Sequence, residues 1–381
     1  MSIRPAASSS PRAPTASDSD VTSPVKPDVR ARDDIGPADW RRCPTSLALL
    51  DRWQRDFPFV AEPFAELGRA LGLSPAQVLE RYRAMHAAGA LGRIGGVFSA
   101  GAGGAALLAA MAVPAQRIDE VAARVSAHPG VNHNYEREHR YNLWFVMTGR
   151  DAPAVERAMS GLEADTGLPA LRLRMIRPYR IDLGFDLGGP TAALPPPPSE
   201  AGTAPPAAIP EADIGLAALV EEGLALVERP FDAWARASGR TLQAVLDTLR
   251  EWQRRGVMRR FGTIVRHHEL GFAANAMTVF DVPDERVDAC GRMLAREPAV
   301  TLAYRRERAP EWPYNLYCMV HGRDRDTVHR VLRQAMARCA LDDHPHAVLF
   351  STRRFKQTGA RRFRELPAPE LAAPEGRHAH A

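Results

Sequence analysis

The sequence predicts an α+β protein: a tandem repeat of a winged helix-turn-helix segment followed by a ferredoxin-like βαββαβ domain. Three observations predict it. The chain repeats itself: Pro63-Phe64 recurs 167 residues later as Pro230-Phe231, Gly89 as Gly256, and Arg93-Ile94-Gly95 as Arg260-Phe261-Gly262. Tyr141-Asn142-Leu143 then recurs as Tyr314-Asn315-Leu316, and Gly149-Arg150-Asp151 as Gly322-Arg323-Asp324, with the spacing grown to 173 by loop insertions. Ordered matches of this kind mark a duplicated unit. In each copy the first part reads as helix, glycine turn, helix, and the second as strands alternating with helices.

The elements follow in order. Phe64 to Leu71 is a short amphipathic helix stopped at Gly72. Ser74-Pro75-Ala76-Gln77 then offers an N-cap, a proline at the first helical position and a capping-box glutamine, for a helix running to Gly89. In the second copy Gly239 ends one helix and Thr241 caps the next, without the capping box because Ala244 stands at the third helical position. Arg93 to Phe98 and Arg260 to Val265 are the wing strands. The first βαββαβ unit is expected over Ala105–Val113, Ile118–His128, Val131–His139, Tyr141–Thr148, Ala152–Ala164 and Leu171–Tyr179. The second is expected over Ala274–Val282, Asp284–Arg296, Val300–Glu307, Tyr314–Val320, Asp324–Ala340 and His346–Arg354.

Composition sets the boundaries. Residues 1–39 are rich in Ser, Pro, Ala and Asp without an apolar period and are expected to be disordered, as is the tail 366–381. A Pro-rich linker is expected over 187–211, containing Pro195 to Pro198. The ordered segments are then 40–100 and 212–270 (helix-turn-helix) and 101–186 and 271–365 (ferredoxin-like). The 381 residues are 45% hydrophobic and 25% charged, a globular profile. No apolar run is long enough to span a bilayer, and the N-terminus lacks a signal pattern. Cys43, Cys290, Cys318 and Cys339 stand far apart with no zinc spacing, so reduced thiols in a cytoplasm are expected. The net charge of +5 is mild for this length, and the only lysines are Lys26 and Lys356. The arginine excess reflects either the base composition of the genome or a need for guanidinium forks that grip carboxylates.

Chemistry concentrates on the third element of each ferredoxin-like unit. On a strand, alternate residues share a face, so His133, Tyr135, Arg137 and His139 point one way, as do Leu302, Tyr304, Arg306 and Arg308. Such a face is not expected in a core; it is either solvated or a binding face. Arg266-His267-His268-Glu269 follows the second wing, but neighbouring strand residues face oppositely and no third ligand is spaced nearby, so no protein metal site is expected. Arg353-Arg354-Phe355-Lys356-Gln357 with Arg361-Arg362 is either a solvated basic tail or an anion-binding rim. There is no phosphate loop, because Gly101 to Gly104 precedes a strand rather than a helix.

The combination of helix-turn-helix and ferredoxin-like domain resembles the Lrp/AsnC superfamily, and specific phrases resemble the siroheme decarboxylases within it. Gly92 to Phe98 and His133 to Phe145 look like one subunit type. Arg260-Phe261-Gly262, Arg266 to Gly271, Asn275-Ala276-Met277, Trp312 to Leu316 and Val348 to Ser351 look like the other, so the chain resembles a natural fusion of the two. The resemblance implies removal of the C12 and C18 acetate carboxylates of siroheme, giving 12,18-didecarboxysiroheme for haem d1 or an alternative haem route. It implies no cofactor, because siroheme is the substrate and brings its own iron. Implied partners are siroheme, other haem d1 biosynthesis proteins and a further copy of the chain. Membranes are not implied, nor is DNA.

Such a reaction needs proton donors, expected at His133 or His139 and at His267 or His268. It needs carboxylate holders, expected at Arg93, Arg137, Arg260, Arg266 and Arg306, and orienting groups at Tyr135, Tyr141, Asn142, Tyr304, Tyr314 and Asn315. The halves are not equivalent: Ser99-Ala100-Gly101 stands where the second copy has Arg266-His267-His268, and Leu302 stands where the first has His133. The rival class is a DNA-binding regulator. Its reading helices would carry Glu80, Asp247 and Glu251 offset by Arg81, Arg83, Arg250, Arg254 and Arg255, which leaves the His/Tyr/Arg strand unexplained.

Overall fold

The computed structural model describes residues 37–99, 101–181, 207–266 and 272–364. The expected disordered segments fall mostly outside these residues, as do His267 and His268.

Each helix-turn-helix unit has three helices and a wing. The first is α1 (Pro44–Arg52), α2 (Pro63–Leu71), α3 (Pro75–Ala87) and β1 (Leu91–Phe98). The Ser74/Gln77 capping box forms as the sequence predicts, and Gly72 ends α2 in the left-handed region at φ 72°. The first ferredoxin-like unit is β2 (Ala105–Met111), α4 (Ile118–Ala127), β3 (Val131–Arg137), β4 (Leu143–Gly149), α5 (Ala152–Thr166) and β5 (Ala170–Ile181). The second copy follows with α6 (Ile214–Glu222), α7 (Phe231–Ser238), α8 (Leu242–Arg254) and β6 (Met258–Val265). It closes with β7 (Ala274–Phe280), α9 (Val287–Arg296), β8 (Val300–Arg306), β9 (Leu316–Gly322), α10 (Arg325–Arg338) and β10 (His346–Gln357). The leading helices α1 and α6 lack a strong cap signal and are not among the elements read from the sequence.

The two copies are merged rather than strung together. The wings β1 and β6 pair antiparallel with Gly95 opposite Gly262. Both helical units share one core, in which Phe261 of β6 lies 5.1 Å from Phe59 and 5.9 Å from Phe57 of the first copy. The ferredoxin-like sheets join into a closed eight-stranded barrel through their long last strands. The first part of β5 pairs with β2 and its second part with β8; β10 pairs first with β7 and then with β3. Twelve residues per strand, against seven in the neighbours, supply the reach for two partners. Closure leaves no open sheet edge.

Candidate active site inside and at the rim of the barrel

Strand alternation sorts the side chains. On β2, Leu107, Ala109 and Met111 face the helices, while Leu108 and Ala110 face the barrel interior. On β3, Asn134 faces outward and donates to Ala122 O and Ser126 Oγ on α4. Tyr135 and Arg137 therefore face inward, and both are buried at 6% exposure. Tyr304 and Arg306 on β8 match them, also at 6% each. This corrects the expectation that the His/Tyr/Arg face lies outside a core. Barrel closure turns it into the interior, something one strand's alternation cannot reveal.

The two arginines are held in mirrored fashion by the other copy's last strand. Arg137 Nη1 donates to Leu349 O at 3.0 Å on β10, and Arg306 Nη1 donates to Leu173 O at 2.7 Å on β5. Each guanidinium lies over its neighbouring tyrosine, at 5.6 Å from Tyr135 and 4.5 Å from Tyr304. Both Nε atoms are buried without a hydrogen-bond partner. Burial lowers the Arg137 pKa to about 10, even though the Tyr135 and Tyr304 hydroxyls act to raise it. Burial also pushes Tyr135 up to about 12, against the charges of Arg137 and Arg354.

At the wing end of this face His133 stacks on Tyr135 at 6.3 Å between ring centroids. Burial and the charge of Arg93 together lower its pKa to about 4, so it is neutral near pH 7. Arg93 comes from β1; its Nε is buried without a partner, and burial lowers its pKa to about 10 against the attraction of Glu221. Arg354 completes this end, opposite Tyr135 in the β10–β3 register. The corresponding positions across β8 are Leu302 in place of His133 and Pro178 of β5 opposite Tyr304. Among the described residues these positions are thus basic at the first copy's end of the barrel and apolar at the second copy's.

Other expected residues are placed differently. His139 lies past the end of β3, in the turn to β4, not on its inward face. Its Nδ1 accepts from Tyr141 N at 3.0 Å, and its ring meets Trp312 edge-on at 5.2 Å. Burial first, then Arg140, lower its pKa. Tyr141 donates to Glu311 at 2.8 Å, and Tyr314 packs on Trp312 at 4.9 Å. The amides of Asn142 and Asn315 clamp backbone: the first bonds the N–H and C=O of Val113, the second those of Val282. Arg260 points away from the barrel and donates to Gln54 O and Thr263 O. Arg266, just past β6, donates its backbone N–H to Ala90 O at 2.9 Å.

A residue noted in the sequence only as part of the phrase Trp312 to Leu316, and not as a site residue, completes the arrangement. Trp312 sits in the inserted β8–β9 loop, 1% exposed, and donates to Tyr317 Oη at 2.7 Å while packing on Trp144. Among the described residues the interior is thus filled at this end, with no open slot of porphyrin size between the strand faces. A groove of about 510 Å³ lined by Ile209, Asp247, Glu251 and Trp252 lies on the second helical unit, away from this chemistry, and carries carboxylates rather than the His/Arg set.

Among the described residues Glu221 of α6 is the one buried acid at the rim. Burial raises its pKa to about 7, although the backbone N–H groups of Phe363 and Arg362 and the charges of Arg362 and Arg93 act to lower it. A carboxyl whose folded pKa lies above its unfolded value contributes stability when protonated, and that contribution is lost as pH rises through about 7. Glu221→Gln is therefore expected to melt higher than the parent above pH 7. The gap should close as pH falls toward 4.5; a melting curve showing no pH-dependent gap contradicts the assignment.

An AsnC-like fold in duplicate, with an inward Tyr/Arg pair from each copy and a histidine at one rim, defines a small-molecule-binding relative of the AsnC regulators. The comparisons agree. Residues 101–180 and 269–356 match the profile described as the AsnC-like ligand binding domain. Residues 47–91 and 213–259 match the siroheme decarboxylase NirDL-like HTH domain. The chain is 43% identical over 317 residues to the siroheme decarboxylase NirDL subunit of Paracoccus pantotrophus, covering 82% of this chain and 96% of that one. It is 31% identical to the siroheme decarboxylase of Hydrogenobacter thermophilus, covering 83% and 94%. A crystal structure of the siroheme decarboxylase NirDL with an iron-uroporphyrin III analogue superposes with a TM-score of 0.59 at 26% identity, covering 84% and 94%. The chain belongs to the siroheme decarboxylase family, in its two-part NirDL form.

Proposed function

We propose that this protein is a carboxy-lyase that removes the C12 and C18 acetate carboxylates of siroheme, yielding 12,18-didecarboxysiroheme in the cytoplasm for haem d1 or another haem. The observation that carries the reading is the pair of inward, buried guanidiniums Arg137 and Arg306, each with an Nε lacking a hydrogen-bond partner, with Arg93 and a neutral histidine at one rim. Burying such charges without carboxylate partners is costly, and a polycarboxylate substrate offsets that cost. Loss of carbon dioxide leaves an electron pair on the methylene, which the macrocycle delocalises; one proton then makes the methyl group. The protein's tasks are to hold carboxylates and deliver that proton, His133 being the donor. Met175, Met277 and Met319 line the barrel interior, and such flexible side chains suit repacking around a large ring.

Four free, buried cysteines fit a reducing compartment. Among the described residues no helix is long and apolar enough to cross a membrane. The partners proposed are siroheme, further haem d1 enzymes and a second copy of the chain. The regulator reading is weaker on the geometry. Arg81 is buried against Cys43 Sγ and Ser46 Oγ, Arg83 is tied to Leu226 O, and Arg250 and Arg254 pair with Asp247 and Glu251 along α8. Such faces offer little uncompensated charge to a phosphate backbone.

The test is anaerobic incubation of dialysed protein with siroheme, followed by mass analysis of the pigment. Loss of two carboxyl groups is expected without added nucleotide, pyridoxal phosphate or metal. Unchanged siroheme overturns the reading, and turnover that depends on such an addition overturns its cofactor-free form.

A further inference from the structure

Arg93 runs through a slot cut by glycines on three separate elements. A methyl group at Gly95 of β1 would lie 2.8 Å from Val220 O and 3.2 Å from Arg93 Nε, and one at Gly223, just past α6 at φ 103°, 2.8 Å from Ile94 O and 3.1 Å from Arg93 Cβ. One at Gly359 would lie 2.4 Å from Nη1. Gly359 belongs to a C-terminal strap, residues 358–363, that leaves β10 and crosses the basic rim of the barrel. Thr358 N donates to Asn132 O at 2.7 Å, next to His133, and the Arg362 guanidinium donates to Ser99 O. Phe363 packs on Phe98 at 5.0 Å. The far end is caught by Glu221, one carboxylate oxygen of which accepts from Arg362 N at 2.8 Å and Phe363 N at 3.2 Å.

Among the described residues the other copy shows no such latch. The position 167 residues before Glu221 is Gln54, and there it is the main-chain carbonyl that receives Arg260, the counterpart of Arg93. Two arginines equivalent in the repeat thus share a bond to the carbonyl three residues on, Arg93 to Gly96 O and Arg260 to Thr263 O, but only Arg260 is also tied to the preceding helical segment, while Arg93 keeps an unpartnered buried Nε and acts on His133.

We propose that Glu221 is a positioning residue: by latching the strap it closes the three-glycine slot that sets the Arg93 guanidinium beside His133 to take an acetate carboxylate of the substrate. This rests on the proposed function and adds to it which acid and which segment build the carboxylate grip, and at which of the two ends.

Full-length protein and the variants Glu221→Ala, Glu221→Gln and Gly359→Ala are titrated with iron uroporphyrin III and with iron coproporphyrin III, following the Soret band. The second ligand carries methyl groups where the first has acetates. Glu221→Ala and Gly359→Ala are expected to bind the acetate-bearing ligand about tenfold more weakly, the loss of one charge-assisted hydrogen bond. Their affinity for the methyl-bearing ligand should be unchanged, which also shows that they are folded. Glu221→Gln should lose less than Glu221→Ala, since its carbonyl still accepts both strap N–H groups. Equal weakening toward both ligands makes the strap merely structural and overturns the proposal, as does unaltered binding by Glu221→Ala. Parent protein that binds neither ligand overturns the functional reading itself, a result distinct from either.

Discussion

His133→Ala is expected to slow decarboxylation of siroheme by about a hundredfold to ten-thousandfold, the usual contribution of a positioned general acid. The geometry gives the reason. His133 sits at the rim with Tyr135 stacked on it, and burial first, then the charge of Arg93, depress its pKa to about 4. In the free protein it is therefore almost wholly neutral near pH 7. A substrate carboxylate that meets Arg93 cancels that charge and lets the imidazole take up the proton it must deliver. The sign for pH follows: kcat/KM reports the free protein, so it should keep rising as pH is lowered through 6.5, where an ordinary histidine would level off. A plateau at 6.5 would falsify the assignment. His139→Ala should do less, because its ring is committed to Tyr141 N and Trp312. His267→Ala and His268→Ala belong in the same series, with carboxylates counted by mass. A product retaining one acetate means that each copy serves a different acetate; unconverted siroheme from either copy's variant means one composite site.

The second large effect runs in opposite directions for stability and binding. Arg137→Met and Arg306→Met should raise the melting temperature while weakening siroheme binding by about tenfold to a hundredfold each. Each arginine is buried with one Nη on a strand carbonyl and its Nε unsatisfied. Replacing buried ionic groups by apolar chains of similar volume is often neutral or stabilising, by up to about 1 to 4 kcal/mol where ion pairs have been replaced. Part of that gain is offset by the lost bond to Leu349 O or Leu173 O, about 1 kcal/mol. Calorimetry and Soret titration on the same samples decide it. A variant that both melts lower and binds normally would show these arginines to be ordinary core residues. Sites kept at a cost to folding are expected where function demands them.

The local elements were legible in the sequence because their causes are local. The Ser74/Gln77 capping box, the Thr241 cap without its partner glutamine, the glycine stops and the βαββαβ order of each copy all depend on neighbours within a few residues. The repeat was legible too, since duplication leaves matching phrases. So were the residue types of the candidate site: Arg93, His133, Tyr135, Arg137, Tyr304 and Arg306 stand out by alternation and recurrence.

Only tertiary structure decided what those residues face. Whether a strand's polar side is solvent or interior depends on what covers it, and here the cover is the other copy, brought round by β5 and β10 pairing with both sheets. Arg93 and Arg260 are the same phrase in the sequence, yet one meets His133 electrostatically and the other Gln54 O. Asn142 and Asn315 read as site residues and prove to clamp backbone, while Glu221 reads as one helix acid among many and proves to be buried against the strap. Periodicity and capping act over one or two turns of chain, so the sequence by itself determined the elements and their duplication. Burial and charge partnership act between segments more than a hundred residues apart, so only the closed barrel determined the site.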